Sequence, residues 1–185
     1  MRFTPDPAVV TDAIATGDYS NMLTHDSGVL HWLVLVPSDG TRYATSGSIQ
    51  WTSNRSESDS NANLYYRSSE GIDIRNGMMY FTTKYWKDLF IVDLDNMTYT
   101  RSGTQSGAFD GQPDQIQRIL AEDEENDMLY FCEEASSDNG IHARDQDGNF
   151  YTIIDGGDYN AETSGLAFSP DNKHMYVSYQ RYVDK

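Results

Sequence analysis

The sequence predicts an all-β protein, because three stretches share one plan and because tyrosine is abundant. In each stretch an acidic residue precedes a short apolar strand, and a tight turn leads to a second strand that contains Tyr80, Tyr130 or Tyr176. These tyrosines lie 50 and 46 residues apart, close to the length of one four-stranded blade of a β-propeller. The 13 tyrosines and the aromatic content of 12% favour half-buried strands. We therefore predict a partial β-propeller of about two and a half four-stranded antiparallel blades.

The chain is predicted to begin with a lead-in segment at residues 1–27, and residues 28–185 are predicted to form the partial propeller. Pro7 suits the first turn of a short helix within the lead-in, and Gly17 suits its end. The apolar run at residues 28–36 has the length of a buried strand and leads into a Pro-Ser-Asp-Gly turn.

Shorter elements are predicted between this strand and the first repeat. Residues 41–45 and 48–52 are interpreted as two strands, whereas residues 53–63 are almost all polar and are predicted to form an exposed loop. From Leu64 onward the strands recur at regular intervals, with hairpin signals such as Asn76-Gly77 and Asp147-Gly148 between them.

The second repeat is the fullest, and the last is truncated. Four strands are predicted in the second repeat, at residues 115–120, 128–132, 140–144 and 149–154. The last repeat has two strands, and the N-terminal strands are candidates to complete it. Because propellers close with roughly four or more blades, we predict a fragment or half of an assembly. Its partner would be the missing blades or a second copy of the chain.

Charge and cysteine content exclude several classes of protein. The net charge of -16, from 29 acidic and 13 basic residues, repels nucleic acid. The same excess of carboxylates suits hard cations such as Ca²⁺, or serves solubility alone. A single cysteine, Cys132, excludes an internal disulfide and a cysteine-rich zinc site. No apolar run is long enough to span a membrane, and no common catalytic signature is present.

The candidate metal ligands are the acidic residues that flank the inner strands of the repeats. Inner strands of a propeller surround one axis, so carboxylates at equivalent positions converge at the channel mouth. A multivalent cation relieves their repulsion and raises the affinity for phosphate. In the alternative interpretation, they are solvated turn residues that end strands. The candidates are Glu70, Asp114, Glu133 and Glu162.

Two further groups are of interest. Cys132 is either a soft ligand for iron or a small buried core residue. Side chains alternate along a strand, so Glu134 is expected on the same face of the strand as Cys132, and Glu133 on the opposite face. His142 and Arg144 share a strand face, where they either orient an anion or pair with a carboxylate of a neighbouring strand.

Taken in order, the motifs resemble those of the PhoX-type alkaline phosphatase family, in its divergent secreted branch, over roughly residues 28–180. The resemblance is carried by segments that begin or end at the candidate carboxylates: Ser69-Glu70-Gly71-Ile72-Asp73, Asp110-Gly111-Gln112-Pro113-Asp114 and Glu162-Thr163-Ser164-Gly165. It implies a secreted or periplasmic six-bladed propeller that holds iron (Fe³⁺) and Ca²⁺ in its axial channel and hydrolyses phosphate monoesters. Glu70 and Glu162 match acidic positions that point into that metal site, and Asp114 is a further calcium contributor.

The chain also departs from that family. The iron-binding cysteine of the family belongs to an earlier blade, so its role is not transferred to Cys132, and the first blades are absent from this chain. We therefore expect phosphatase activity only in a full-length or assembled form. The alternative is a non-catalytic secreted or surface binding propeller that kept the fold and lost the metals. No secretory signal is visible near Met1, so the secreted location rests on the resemblance.

Overall fold

The computed structural model describes residues 1–119, 126–135, 138–157 and 161–180, and within them it confirms an all-β protein with two short α-helices. The helices are α1 (Pro7–Thr16) and α2 (Arg55–Tyr65), with one 3-10 turn at His25–Ser27. The strands are β1 (Arg2–Pro5), β2 (Gly28–Pro37), β3 (Ser46–Thr52), β4 (Ser69–Arg75), β5 (Met78–Thr83), β6 (Asp88–Asp93), β7 (Thr98–Gly103), β8 (Gln112–Ile119), β9 (Met128–Glu134), β10 (Ile141–Arg144), β11 (Phe150–Ile154), β12 (Thr163–Phe168) and β13 (Met175–Tyr179). No helix in these ranges is long and apolar enough to cross a membrane.

The strands form three antiparallel sheets. The first sheet is curled and has the order β1-β2-β3-β7-β6-β5-β4, the second has the order β11-β10-β9-β8, and the third contains β12 and β13. The four strands predicted in the second repeat are confirmed as β8 to β11, except at residue 120, which lies outside the described residues. Tyr80, Tyr130 and Tyr176 lie on β5, β9 and β13, each of which pairs with the first strand of its repeat.

The three sheets pack in sequence against one another. Tyr80 and Leu89 of the first sheet share a buried cluster with Ile116 and Phe131 of the second. Cys132 and Ile141 of the second sheet share another with Leu166 of the third. The edge strands β4, β8 and β12 therefore come together.

Glycine allows the closest of these approaches. A Cβ atom on Gly71 of β4 would lie 2.4 Å from the backbone nitrogen of Ile116 on β8. A larger residue at position 71 would push these two strands apart, so glycine is required where the backbones meet.

The N-terminal region joins the first sheet. The predicted helix is confirmed as α1, with Asp6 accepting a hydrogen bond of 2.8 Å from the Ala8 backbone and Gly17 ending the helix at φ 71°. β1 was not predicted, and it pairs with the start of β2. Through the pairing of β3 with β7, the N-terminal strands extend the first sheet and do not complete the last repeat.

The loop prediction for residues 53–63 was wrong, because this segment forms α2. The Asn54 side chain caps the helix by accepting a hydrogen bond of 3.3 Å from the Glu57 backbone. Asn54 followed three residues later by Glu57 is a helix-start signature that the polar composition concealed.

Polar side chains of α2 also bind the open edge of β2. Asn61 accepts a hydrogen bond of 2.8 Å from the Leu35 nitrogen and donates one of 2.9 Å to the Leu35 carbonyl. Ser58 donates a hydrogen bond of 2.7 Å to the Leu33 carbonyl. Beyond β1, this edge of β2 has no strand neighbour among the described residues, so α2 satisfies its backbone groups.

The strand predicted at residues 41–45 is also absent, since this segment continues the turn that follows β2. The Thr41 nitrogen donates a hydrogen bond of 2.8 Å to the Asp39 side chain, and Gly40 has a φ of 71°. An aspartate turn of this kind competes with strand pairing. The strand predicted at residues 48–52 is confirmed as the greater part of β3.

Candidate functional site

A carboxylate cluster surrounds the ammonium group of Lys84, directly after β5. The Lys84 Nζ atom lies 3.7 Å from Glu70 Oε1, 3.6 Å from Asp114 Oδ2 and 3.5 Å from Glu162 Oε1, and it contacts Glu134 Oε2. Glu70 lies on β4, Asp114 on β8, Glu134 at the end of β9 and Glu162 just before β12. We call these four acidic residues the carboxylate cluster.

The repeat explains why these groups meet. The edge strands β4, β8 and β12 run side by side, and each contributes or adjoins one carboxylate of the cluster. Lys84 and Glu134 each follow a repeat tyrosine, Tyr80 or Tyr130, by four residues. Side chains at matching positions of packed repeats point to the same region, so the first repeat supplies a cation where the second supplies an anion.

Three members of the cluster are close enough to share one ion. Oxygen atoms of Asp114, Glu134 and Glu162 all lie within 4.8 Å of one another, and the three side chains are partly buried. Ca²⁺ takes oxygen ligands at roughly 2.3–2.6 Å, so two ligands on opposite sides of the ion lie about 5 Å apart. The spacing of these oxygens therefore suits a hard cation.

The cluster perturbs two of its own groups. Burial, a hydrogen bond with Asp114 and the nearby charge of Glu134 raise the pKa of Glu162 to about 7. Burial alone would lower the pKa of Lys84, but the hydrogen bond to Glu134 and the surrounding carboxylates raise it overall. Lys84 is therefore charged at neutral pH, whereas Glu162 exchanges its proton close to neutrality.

Three of the four predicted ligands lie in this cluster: Glu70, Asp114 and Glu162. Glu133 does not belong to it. Its neighbour Glu134 takes part instead, because strand alternation turns the two side chains to opposite faces of β9. Sequence reasoning missed both Glu134 and Lys84. The available signal was their spacing, because each follows the tyrosine of its repeat by four residues.

Glu133 is fully buried and accepts hydrogen bonds from two loops. Its Oε1 atom accepts from the nitrogens of Asp110 at 3.1 Å and Gly111 at 2.7 Å. Its Oε2 atom accepts from the Gly140 nitrogen at 3.0 Å and lies 2.9 Å from His142 Nε2. Burial would raise the pKa of Glu133, but these partners lower it overall, so the carboxylate is charged.

The remaining candidates have structural surroundings. Cys132 is buried beside Ile141 and Leu166, and burial together with the charge of Asp114 raises the pKa of its thiol to about 12. A protonated thiol in an apolar cluster is a core residue and a poor metal ligand. His142 is likewise buried and pairs with a carboxylate of the neighbouring strand, one of the two roles predicted for it.

An open cleft of about 530 Å³ adjoins the cluster. It is lined by Lys87, Asp110, Gly111, Gln112, Glu134 and Ala135. Because Glu134 belongs to both, the cleft gives a small polar ligand access to the carboxylate cluster.

No protein-family model, no curated protein and no solved structure matches the chain. Its function is therefore inferred from the residues and their geometry.

Proposed function

We propose that this chain is a Ca²⁺-binding segment of a β-propeller, related to the secreted PhoX-type phosphatases, and that phosphate-monoester hydrolysis belongs to a longer or assembled form. The proposal depends on one observation above all. Asp114, Glu134 and Glu162 converge with Lys84 at the ends of adjacent strands.

The arrangement of the sheets supports the propeller assignment. The second sheet has four antiparallel strands, the number in one blade, and the third has two, the number expected of a blade that is cut short. In the first sheet β4 to β7 correspond to a further blade, to which the N-terminal strands are added. The strands that would be innermost, β4, β8 and β12, are packed together, and the carboxylate cluster lies at their ends.

The chemistry of the ligands favours Ca²⁺ over iron. All three convergent groups are carboxylates, and hard cations such as Ca²⁺ prefer such oxygen ligands. Cys132 is protonated and packed in the core, so it supplies no thiolate for iron. When bound, Ca²⁺ supplies a charge that polarises a phosphoryl oxygen.

The protein groups beside this site suit a phosphate ester. Lys84 carries a full positive charge and becomes available to a phosphoryl oxygen when a cation takes over its carboxylate partners. Glu162, with a pKa of about 7, is able to hold or release a proton near neutral pH. The cleft beside Glu134 admits the rest of the ester.

Calorimetric titration with CaCl₂ tests the proposal. We expect saturable binding to the unmodified chain and at least about tenfold weaker binding to Asp114→Asn, because a neutral amide replaces one charged ligand. Asp12→Asn, which makes the same change on the exposed surface of α1, is the matched control and leaves binding unchanged. Absence of saturable binding, or equal binding by Asp114→Asn, would overturn the proposal.

A non-catalytic binding propeller is the second candidate, and Lys84 favours it. Its ammonium group already compensates part of the negative charge of the cluster without a metal. In that case the melting temperature of the unmodified chain is the same in Ca²⁺ and in chelator. A rise of the melting temperature in Ca²⁺ supports the metal site instead.

A further inference from the structure

A pocket of about 240 Å³ lies where the turn after β2 meets the turn between β5 and β6. Its wall contains Arg42 and Tyr43 from the first turn, Trp86 from the second, and Asp88 and Arg101 from β6 and β7. Two arginines and one aspartate give this wall an excess of positive charge, although the chain has a net charge of -16. We call it the arginine pocket.

The excess charge belongs to Arg42. Arg101 is paired with Asp88, whose Oδ2 atom lies 3.5 Å from the Arg101 Nε atom. Arg42 forms no ion pair with a carboxylate in the part of the chain that the structure describes. Asp39 lies in the same turn, but its side chain accepts a hydrogen bond of 2.8 Å from the Thr41 nitrogen and does not line the pocket. The pocket therefore offers one uncompensated positive charge to a ligand.

Aromatic rings hold the Arg42 side chain in place. Its Cζ atom lies 4.6 Å from the ring centre of Trp86 and 4.7 Å from that of Tyr43, within the distance of a cation–π interaction. Its Nη2 atom donates a hydrogen bond of 2.6 Å to the Tyr43 hydroxyl. Trp86 itself packs edge-on against Tyr85, with ring centres 4.5 Å apart. The Arg42 side chain makes no other hydrogen bond with the described residues, so its remaining N–H groups are available to an anion.

Backbone hydrogen bonds fix the turn that carries Arg42. The Arg101 nitrogen donates a hydrogen bond of 2.7 Å to the Thr45 carbonyl, which ties the turn to β7. Within the turn, the Ala44 nitrogen donates one of 3.4 Å to the Thr41 carbonyl, and the Ala44 side chain is buried. Both guanidinium groups are thereby held at one pocket before a ligand arrives, which lowers the entropic cost of binding.

The chemistry of the wall favours a carboxylate with a flat apolar body. The planar guanidinium fork matches a carboxylate, and one uncompensated charge matches its single negative charge. A phosphate monoester carries about 1.5 to 2 negative charges near neutral pH, so the net charge of the chain opposes it more strongly. The rings of Tyr43 and Trp86 provide a contact surface for an aromatic body. We propose that the arginine pocket binds a small aromatic carboxylate.

Calorimetric titration with sodium benzoate, and with benzyl alcohol as its uncharged analogue, tests this proposal. We expect saturable binding of benzoate at low ionic strength, with a dissociation constant of about 1 mM or lower. The alcohol should bind at least about tenfold more weakly, because it has no charge for Arg42 to attract. A chelator in the buffer removes Ca²⁺, so the result does not depend on the carboxylate cluster, with which the arginine pocket shares no residue.

Variants locate the site. Arg42→Gln should weaken benzoate binding at least about tenfold, because the uncompensated charge is lost. Arg2→Gln is the matched control and should leave binding unchanged. Arg2 also lies 4.6 Å from a tryptophan ring centre, that of Trp51, but it pairs with the first half of β2, whereas Arg42 follows the end of that strand.

Arg42→Lys separates charge from shape. Lysine keeps the positive charge but lacks the planar fork, so benzoate binding should fall about threefold or more. Equal binding by Arg42→Lys and the unmodified chain would overturn the proposal, since charge alone would then explain the attraction.

Four further results would each overturn the proposal: no saturable binding of benzoate up to about 10 mM, equal binding of benzyl alcohol, unchanged binding by Arg42→Gln, or equal weakening by Arg2→Gln. Arg42 is exposed, so its variants should fold, and a melting curve for each variant checks this. If Arg42→Gln does not fold, Arg42→Lys provides the comparison.

Discussion

Lys84 and its acidic neighbours form a charge network in which each group depends on the others. The ammonium group lies within 3.7 Å of oxygens of Glu70, Asp114 and Glu162, and it contacts Glu134. Four carboxylates around one cation leave a net negative charge in a partly buried position. The network therefore favours any further positive charge, whether a proton or a metal ion.

Replacing Lys84 by methionine should destabilise the protein, because the carboxylates then repel one another without compensation. We expect a loss of about 1–3 kcal/mol in the free energy of unfolding, measured with urea at low ionic strength. Ca²⁺ should restore part of this loss if the cluster binds the ion. Lys173→Met is the control, since Lys173 is exposed and lies 3.8 Å from Asp171. Equal stability of both variants would contradict this network.

The raised pKa of Glu162 predicts a specific dependence on pH. The folded state retains the proton up to a pKa of about 7, whereas the unfolded chain releases it near 4.5, the ordinary pKa of a glutamate side chain. Between these values the folded state binds more protons, so stability falls as the pH rises through this window and then levels off.

Glu162→Gln should remove this contribution. We expect urea unfolding of the variant to depend less on pH between 5 and 7.5, with a relative gain of about 1–3 kcal/mol at the upper end. An identical pH dependence of both proteins would show that Glu162 titrates normally.

Glu133 lies next to the cluster in sequence but has a different environment. It accepts hydrogen bonds from the backbones of Asp110, Gly111 and Gly140, and it pairs with His142. Glu133→Gln should cost about 2 kcal/mol of stability, because a buried charged acceptor is lost. The affinity for Ca²⁺ should stay the same. A selective loss of Ca²⁺ binding at unchanged stability would place Glu133 among the metal ligands.

Among the elements, α1 and α2 show what the sequence reveals and what it conceals. Pro7 and Gly17 mark the ends of α1 with local signals, and the structure confirms that helix. α2 is almost entirely polar, and part of its stability comes from hydrogen bonds to β2, which lies more than 20 residues earlier in the chain. Composition alone therefore indicated a loop at residues 53–63.

Asn61 tests this explanation of α2. Asn61→Ala removes two hydrogen bonds to Leu35 and should destabilise the protein by about 1–2 kcal/mol, although alanine favours helix. Asn63→Ala is the matched control on the exposed side of the same helix and should be neutral or slightly stabilising. Urea unfolding of the two variants gives the comparison, and equal effects would contradict the role of Asn61.

In the whole molecule, the repeated strand pairs were predictable from the sequence, whereas the pairing of distant strands into one sheet was not. The spacing of Tyr80, Tyr130 and Tyr176 predicted related strand pairs, and all three tyrosines lie on the second strand of their repeat. The seven-stranded first sheet was missed, because β3 and β7 pair across a separation in sequence that no local pattern records. Similarly, the repeat pointed to Glu70, Asp114 and Glu162 of the carboxylate cluster, which lie on or just before the first strand of a strand pair, whereas Glu134 was missed because its place depends on which face of β9 it occupies.

The matched positions of Lys84 and Glu134 have a consequence for how such a site changes over time. Lysine and glutamate codons differ by a single base, so one mutation at either position converts a pair of opposite charges into a pair of like charges. Because the same pair of strands recurs, one mutation is enough to create or remove the need for a bound cation at the carboxylate cluster. The strands that present these side chains stay in place. Related chains with glutamate at the position of Lys84 would be expected to depend on metal for folding.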